Sequence, residues 1–413
     1  DVLAALQSVS AAGLEVSVEG IAAELSRRRL GHGRGRRMAI EQDRVEILGG
    51  VRFGRTLGSP VAVVVHNTEW PRWEEEMAVG EGTATRPLRS PRPGHADLAG
   101  MMHYDTHDAR DVLERASERE NAARTVAGYL AKSLLGEIGV AVVSHVVAIG
   151  VVAAGDGRPT AEDQSTIDAS PVRTFDRSVE TAMITAIDAA HEARDTVGGV
   201  VEVLAFGVPA GVGSHVHWDR RLDGALAGAL MSIPAIKGVA IGDGWSVAAL
   251  PGTLSHDEID YVGGAFVRRS DRAGGIEGGM STGQTIRVRA AMKPLSTLMR
   301  PLDTVDVITN RVLAAEVEHG RFRADLWYRL EVLPIYIAPL RERKEDLLPL
   351  TELLLANLSQ KYERSKPMFR PEELANMNAF LNNPELVWEW YEHRRKVVRE
   401  VVPNAGHEAL VAM

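Results

Sequence analysis

Residues 270–284 read Ser270-Asp271-Arg272-Ala273-Gly274-Gly275-Ile276-Glu277-Gly278-Gly279-Met280-Ser281-Thr282-Gly283-Gln284, and Lys293-Pro294-Leu295-Ser296-Thr297 follows within ten residues. Five glycines in ten positions (274, 275, 278, 279 and 283) let a backbone turn tightly and lie against a flat or phosphorylated ligand. The lysine and two hydroxyls downstream add a point charge and donors suited to an anion. Alone, such a loop fits a turn-rich connection equally well. The rest of the chain has to decide.

With 413 residues, the chain can form one large domain or two to three average ones. Hydrophobic residues at 45% and charged residues at 25% are the proportions of a soluble globular protein. A formal charge of −9 argues against a general nucleic-acid or anionic-membrane binder. There is no cysteine, which excludes disulfides, thiolate zinc sites and thiol nucleophiles, fits a reducing cytoplasm, and leaves no metal site expected. The start, Asp1-Val2-Leu3-Ala4, has neither the basic residues nor the cleavage pattern of a signal peptide, and suggests that the natural N-terminus is missing. The longest apolar run, 140–155, is broken by Ser144 and His145 and is too short to span a bilayer.

Along the chain, Ser17 is a helix N-cap, with Ile21, Leu25 and Leu30 on one apolar face over 17–30. Six arginines among glycines follow at 27–37, a dense anion site or a solvated basic loop. Strands are expected at 45–48 and 61–65. The loop Arg89-Ser90-Pro91-Arg92-Pro93-Gly94-His95-Ala96-Asp97 holds a histidine in a fixed backbone, with arginines and an aspartate pulling its charge in opposite directions. The spacing of Val112, Ala116, Ala123, Val126, Leu130 and Leu134 predicts one long helix over 107–135. Beyond it come strands within 140–152, a helix-prone stretch over 163–194, a strand near 196–203, a helix from 220 and a strand at 239–241. Strands without regular crossover helices imply an α+β fold of packed sheets and helices, not a doubly wound parallel sheet.

Taken in order, RRRLGHGRGRRM (27–38), NTEWPRW (67–73), SPRPGHADLAG (90–100), VLERASERENAARTVAG (112–128), DTVGGVVE (195–202), RRLDGALAGALMSIPAIKGVAIGDG (220–244), RAGGIEGGMSTGQTIRVRAAMKPLST (272–297) and LDTVDVIT (302–309) resemble chorismate synthase over residues 12–308. The resemblance implies a sandwich of antiparallel sheets with flanking helices. It implies a cytoplasmic shikimate-pathway lyase, a homotetramer in the family, acting on 5-enolpyruvylshikimate 3-phosphate. That substrate would lose phosphate by anti 1,4-elimination, giving chorismate. The cofactor implied is reduced flavin mononucleotide (FMN), with NAD(P)H as flavin reductant. A substrate with two carboxylates and a phosphate suits the arginine-rich segment. Carried over by position, Arg28 and Arg34 contact anionic groups; Arg115, Ala116 and Ser117, Pro234 and Ala235, Gly278, and Lys293, Pro294, Leu295, Ser296 and Thr297 bind flavin. His95 matches one of two active-site histidines and would stabilise the charge of the reduced flavin.

The family's opening Gly-Glu-Ser-His-Gly motif would precede residue 1, and its late Arg-Ser-Asp motif has no match after 308. Asp271 stands where the glycine-rich motif usually carries asparagine, which would set a negative charge near an anionic flavin. Of 39 glycines only two follow residue 310, while ten of 21 aromatics do, so the tail reads as a separate, mainly helical module. Residues 316–372 resemble AAA+ activators of the alternative sigma factor, and 376–413 resemble bacterial sirtuins. The expected divisions are therefore 1–310, 311–375 and 376–413. The alternative reading is a catalytically incomplete composite that acts at most as a flavin- or anion-binding scaffold.

Overall fold

The computed structural model describes residues 2–6, 11–33, 43–68, 70–113, 116, 119–300, 302–310 and 312–314. The chain divides into two compact units, Asp1–Leu353 and Leu354–Met413. The second unit and the divisions set at 311 and 376 lie outside the described residues, and of the tail expected to be mainly helical only 312–314 is described.

The N-terminal layer is built around β5 (Val61–Val65), whose β-branched run favours extended backbone. It lies between β1 (Val2–Leu6) and β2 (Val45–Gly49) in an antiparallel sheet of order β1-β5-β2. A short hairpin of β3 (Val51–Arg52) and β4 (Arg55–Thr56) intervenes. Helix α1 (Val18–Arg27) starts where the sequence predicts: the Ser17 hydroxyl accepts from the Gly20 N–H at 2.9 Å, satisfying one orphan donor. Ile21 and Leu25 are fully buried and meet Val61, Val63, Val126 and Leu130. Leu30, expected on the same face, lies beyond the helix end and is 43% exposed. Ile21→Ala leaves a cavity in this cluster and is expected to cost ~2–5 kcal/mol, measured by urea unfolding.

The predicted 107–135 helix is two helices, α3 (Arg110–Leu113) and α4 (Arg119–Glu137), with Ala116 in a bend between them. Apolar spacing runs through the break, so periodicity alone could not show it. Before them α2 (Asp97–Tyr104) packs Met101 against Ala109 and Val112.

The larger sheet contains β6 (Ala141–Ile149), β7 (Val152–Ala153), β8 (Gly199–Phe206), β9 (Ile236–Ile241) and β14 (Ile286–Met292). It is antiparallel throughout, in the order β7-β6-β8-β14-β9. One face is apolar: Val146, Val201, Val203, Val288 and Ala290 pack on α6 (Glu180–Glu192) through Met183 and Ile187, and on α7 (Leu222–Met231) through Leu226 and Leu230. A short helix, α5 (Gln164–Asp168), precedes α6. Side chains alternate across a strand, so the other face carries His145, Glu202, Arg287 and Arg289. His145 pairs in register with Glu202, and Glu202 with Arg289.

After α8 (Gly252–Ser255) come two hairpins, β10 (Ile259–Val262) with β11 (Ala265–Arg268), and β12 (Ile276–Glu277) with β13 (Met280–Ser281). The described chain closes with β15 (Asp303–Val305) paired to β16 (Val312–Ala314). The α+β class, with antiparallel sheets and flanking helices, is the one the sequence implied.

Glu202 links the two halves of the polar row: its Oε1 is 3.2 Å from His145 Nε2, and its Oε2 accepts from Arg289 Nε at 2.6 Å. Burial pushes the carboxyl up, but His145 and Arg289 outweigh it and bring it down from 4.5 to about 2. A depressed acid adds stability that is complete above its unfolded value and is lost as pH falls through the folded one. Stability is therefore expected to decline between pH 4.5 and about 2. Circular dichroism at graded pH checks this, and Glu202→Gln should flatten that part of the curve.

Candidate active site

The loop 89–97 runs into α2, and Asp97 opens that helix with no exposed surface. Its Oδ2 accepts from Arg92 N–H at 3.1 Å and Arg92 Nε at 2.7 Å, and its Oδ1 accepts from Arg92 Nη2 at 2.9 Å. The same Oδ1 is 2.5 Å from His95 Nδ1. Burial pushes the Asp97 carboxyl up, but hydrogen bonds from Arg92 and His95 win and hold it well below the usual carboxylate range. An ionised carboxylate only accepts, so Nδ1 is the donor in this contact. Arg92 Nη2 lies 3.0 Å from Nδ1 and 3.4 Å from Nε2, so the guanidinium that pairs with Asp97 also packs against the ring.

The run after β14 meets this loop directly. Lys293 Nζ donates to the Gly94 carbonyl. A side chain built on Gly94 would meet Lys293 Nζ and Ser296 Cβ, each at 3.5 Å. Lys293 N–H donates to Ala235 O at 3.0 Å, in a turn where Ala235 has φ +71°, a strained value for a residue with a Cβ. Thr196 Oγ1 donates to Leu295 O at 2.9 Å, anchoring the buried leucine. Burial lowers the Lys293 pKa, and neighbouring Lys237 lowers it further. Among the described residues no carboxylate forms an ion pair with it, so the site holds a partly buried cation in need of an anion.

The structure thus brings Gly94, Ala235, Lys293 and Ser296 together, with His95, Pro234, Pro294, Leu295 and Thr297 adjoining them in sequence. Gly278 is at the tip of the β12–β13 hairpin. Gly278 and Gly279 have φ +59° and +88°, the signs a two-residue type I′ turn demands. Gly279 has no room for a side chain against Ser214 O and Arg221, whereas Gly278 faces open space. Ala116 donates its N–H to Val112 O at 3.1 Å. Arg28 is buried at the end of α1, with Nη1 4.0 Å from Asp43 Oδ2. Arg34, Arg115 and Ser117 lie outside the described residues.

Three supporting residues were legible only in part. Arg92 and Asp97 stand near His95 in sequence, but their shared bridge depends on the loop's path. Arg124 was one of several polar residues on its helix. It donates from Nη1 to Ser232 Oγ at 2.7 Å and from Nη2 to Ser232 O at 3.2 Å, steadying the turn into Pro234 and Ala235.

Asp271, the residue expected to set a negative charge near the flavin, is paired with two arginines. Its Oδ2 accepts from Arg158 Nη1 at 2.7 Å and Arg287 Nε at 3.2 Å. Burial nonetheless raises this carboxyl, the two arginines offsetting it only in part, and Oδ1 is buried without a hydrogen bond. With the folded value above the unfolded one, stability is lost as pH rises through that interval. Asp271→Asn removes the charge and keeps an acceptor for Arg287. It is expected to raise the thermal midpoint at neutral pH by ~1–3 °C in a calorimetric scan.

A family model described as chorismate synthase matches residues 2–336. A protein named chorismate synthase from Salinispora tropica is 55% identical over 323 residues, covering 76% of this chain and 82% of the relative. One of the same name from Thermobifida fusca is 54% identical over 321 residues, covering 75% and 81%. A solved structure entitled "Crystal Structure of Chorismate Synthase" superposes with a TM-score of 0.59 at 30% identity, covering 86% of this chain and 97% of the other. The AAA+ and sirtuin resemblances find no such support. The family match runs to residue 336, across the beginning of the AAA+-like stretch.

Proposed function

We infer the function from the premise that this chain belongs to the chorismate synthase family: it is a lyase that converts 5-enolpyruvylshikimate 3-phosphate to chorismate and phosphate by anti 1,4-elimination. The observation that carries the reading is the meeting of the His95 loop with the Lys293–Thr297 run through Gly94.

The residues fit a reduced flavin. Lys293 supplies a cation with no carboxylate partner among the described residues, Ser296 and Thr297 supply hydroxyls, and Gly278 presents bare backbone. When bound, the reduced flavin supplies electron density that eases loss of phosphate without net redox change. We assign the cofactor to Ala116, Pro234, Ala235, Gly278 and Lys293–Thr297, together with Arg115 and Ser117. Arg28 and Arg34 are assigned to the anionic groups of the ligand.

His95 acts from its Nε2 side. Asp97 fixes the ring through its Nδ1–H, so the imidazole meets developing charge with the other nitrogen in a set direction and no reorganisation. Lys293 contributes twice, as a cation and as the donor that holds the histidine loop through the Gly94 carbonyl. The family also supplies the remaining proposals: NAD(P)H as the flavin's reductant, a homotetrameric assembly and a cytoplasmic location.

The test is chorismate formation from 5-enolpyruvylshikimate 3-phosphate with anaerobically reduced FMN. One phosphate is expected per chorismate. No product above a flavin-only control, at any protein concentration, overturns the activity, and absence of saturable flavin binding overturns the cofactor assignment.

A further inference from the structure

Arg287 is 1% exposed, yet strand alternation turns it away from the apolar face that Ile286 and Val288 join. Its guanidinium spends four donors on two segments. Nε donates to Asp271 Oδ2 at 3.2 Å and Nη2 to the Asp271 carbonyl at 2.7 Å. Nη1 donates to the Gly242 carbonyl at 2.9 Å, and Nη2 also to Asp243 Oδ1 at 2.6 Å. One segment is the entry of the glycine-rich loop and the other is the turn after β9.

The backbones of these segments also touch. Asp243 N–H donates to Arg272 O at 2.8 Å, Gly242 N–H to Arg287 O at 2.9 Å, and Arg287 N–H to Gly274 O at 3.1 Å. A side chain on Gly242 or on Gly274 would collide with the opposite backbone. Asp243 Oδ2 further accepts from Arg272 Nη1 at 3.2 Å.

Buried ion clusters of this kind contribute little net stability compared with apolar packing of equal volume. A planar fork shared by two carboxylates and two carbonyls does fix where the segments sit relative to each other. We propose that Arg287 is a positioning residue of the cofactor platform: it pins the Asp271–Gly275 entry to the turn after β9, so that the Gly278–Gly279 tip is held in its binding position before any ligand arrives. The proposal rests on the reading of residues 270–284 as the flavin platform. Arg287 itself need touch neither flavin nor substrate.

The test compares the full-length wild type with Arg287→Lys, which keeps the charge but not the fork, and Asp243→Ala, which removes one acceptor and the partner of Arg272. Three readouts apply: FMN dissociation constant by flavin fluorescence, thermal midpoint, and hydrogen–deuterium exchange of residues 270–284 against 141–149. Preorganisation predicts that R287K weakens FMN binding roughly tenfold and D243A about threefold. Exchange should quicken in 270–284 and stay unchanged in 141–149. Wild-type FMN affinity in both variants, or exchange that quickens equally in both segments, overturns the proposal. If R287K does not fold, D243A decides by the same criteria. If the wild type itself binds no FMN, the cofactor reading fails separately, and the exchange comparison alone decides whether Arg287 pins the loop.

Discussion

Asp97→Asn is expected to lower the rate of chorismate formation by ~10²–10⁴-fold, the range for loss of a group that sets up acid–base chemistry. The carboxylate holds His95 by its Nδ1 hydrogen at 2.5 Å. An amide can offer its NH₂ there instead, so the Nδ1–H loses its fixed acceptor and the ring is free to turn. The fall should appear in kcat rather than in KM for the substrate, because the change concerns the orientation of the His95 ring. Asp97→Asn also leaves Arg92 buried beside a neutral partner, and breaking such a pair costs ~3–5 kcal/mol. Activity should therefore be measured well below the variant's own thermal midpoint. Unchanged kcat in a folded D97N protein would remove His95 orientation from the mechanism.

Lys293→Met is expected to separate binding from stability. The ammonium is partly buried and lies near Lys237, and both effects favour its neutral form. A lysine with a depressed pKa costs the fold free energy below its unfolded value, so replacing it with an apolar side chain of similar length should leave the thermal midpoint unchanged or higher. Flavin affinity should fall about 10-fold or more, since a charge-assisted contact to an anion is worth ~1.5–3 kcal/mol. Loss of the bond to Gly94 O also frees the histidine loop, so kcat should drop in the same variant. Fluorescence titration with FMN and a thermal scan check both signs. Affinity that survives intact would place the anion elsewhere.

The elements with a strong local signal were legible from residues alone. Ser17 caps α1 as its hydroxyl predicts, and the Val61–Val65 run is a buried strand because β-branched side chains at alternate positions serve one face. The break between α3 and α4 was not legible, since apolar spacing continues through it. Leu30 failed for the opposite reason: the helix ends at Arg27, before the apolar pattern does.

The sequence by itself determined the chemistry available. The glycine-rich loop, the proline-held His95 and the lysine with its hydroxyls define a platform for an anionic, flat ligand, and the ordered series of motifs gave the family. Tertiary structure alone decided which of these parts meet. Gly94 and Lys293 are 199 positions apart, and their contact exists because the end of β14 delivers Lys293 under the loop. It also decided that Asp271 faces Arg287 and Arg158, so the glycine-rich loop is pinned through its acidic residue. Side-chain direction in a strand and the path of a loop depend on pairing register and packing between distant segments, and neither is encoded in the residues adjacent to them.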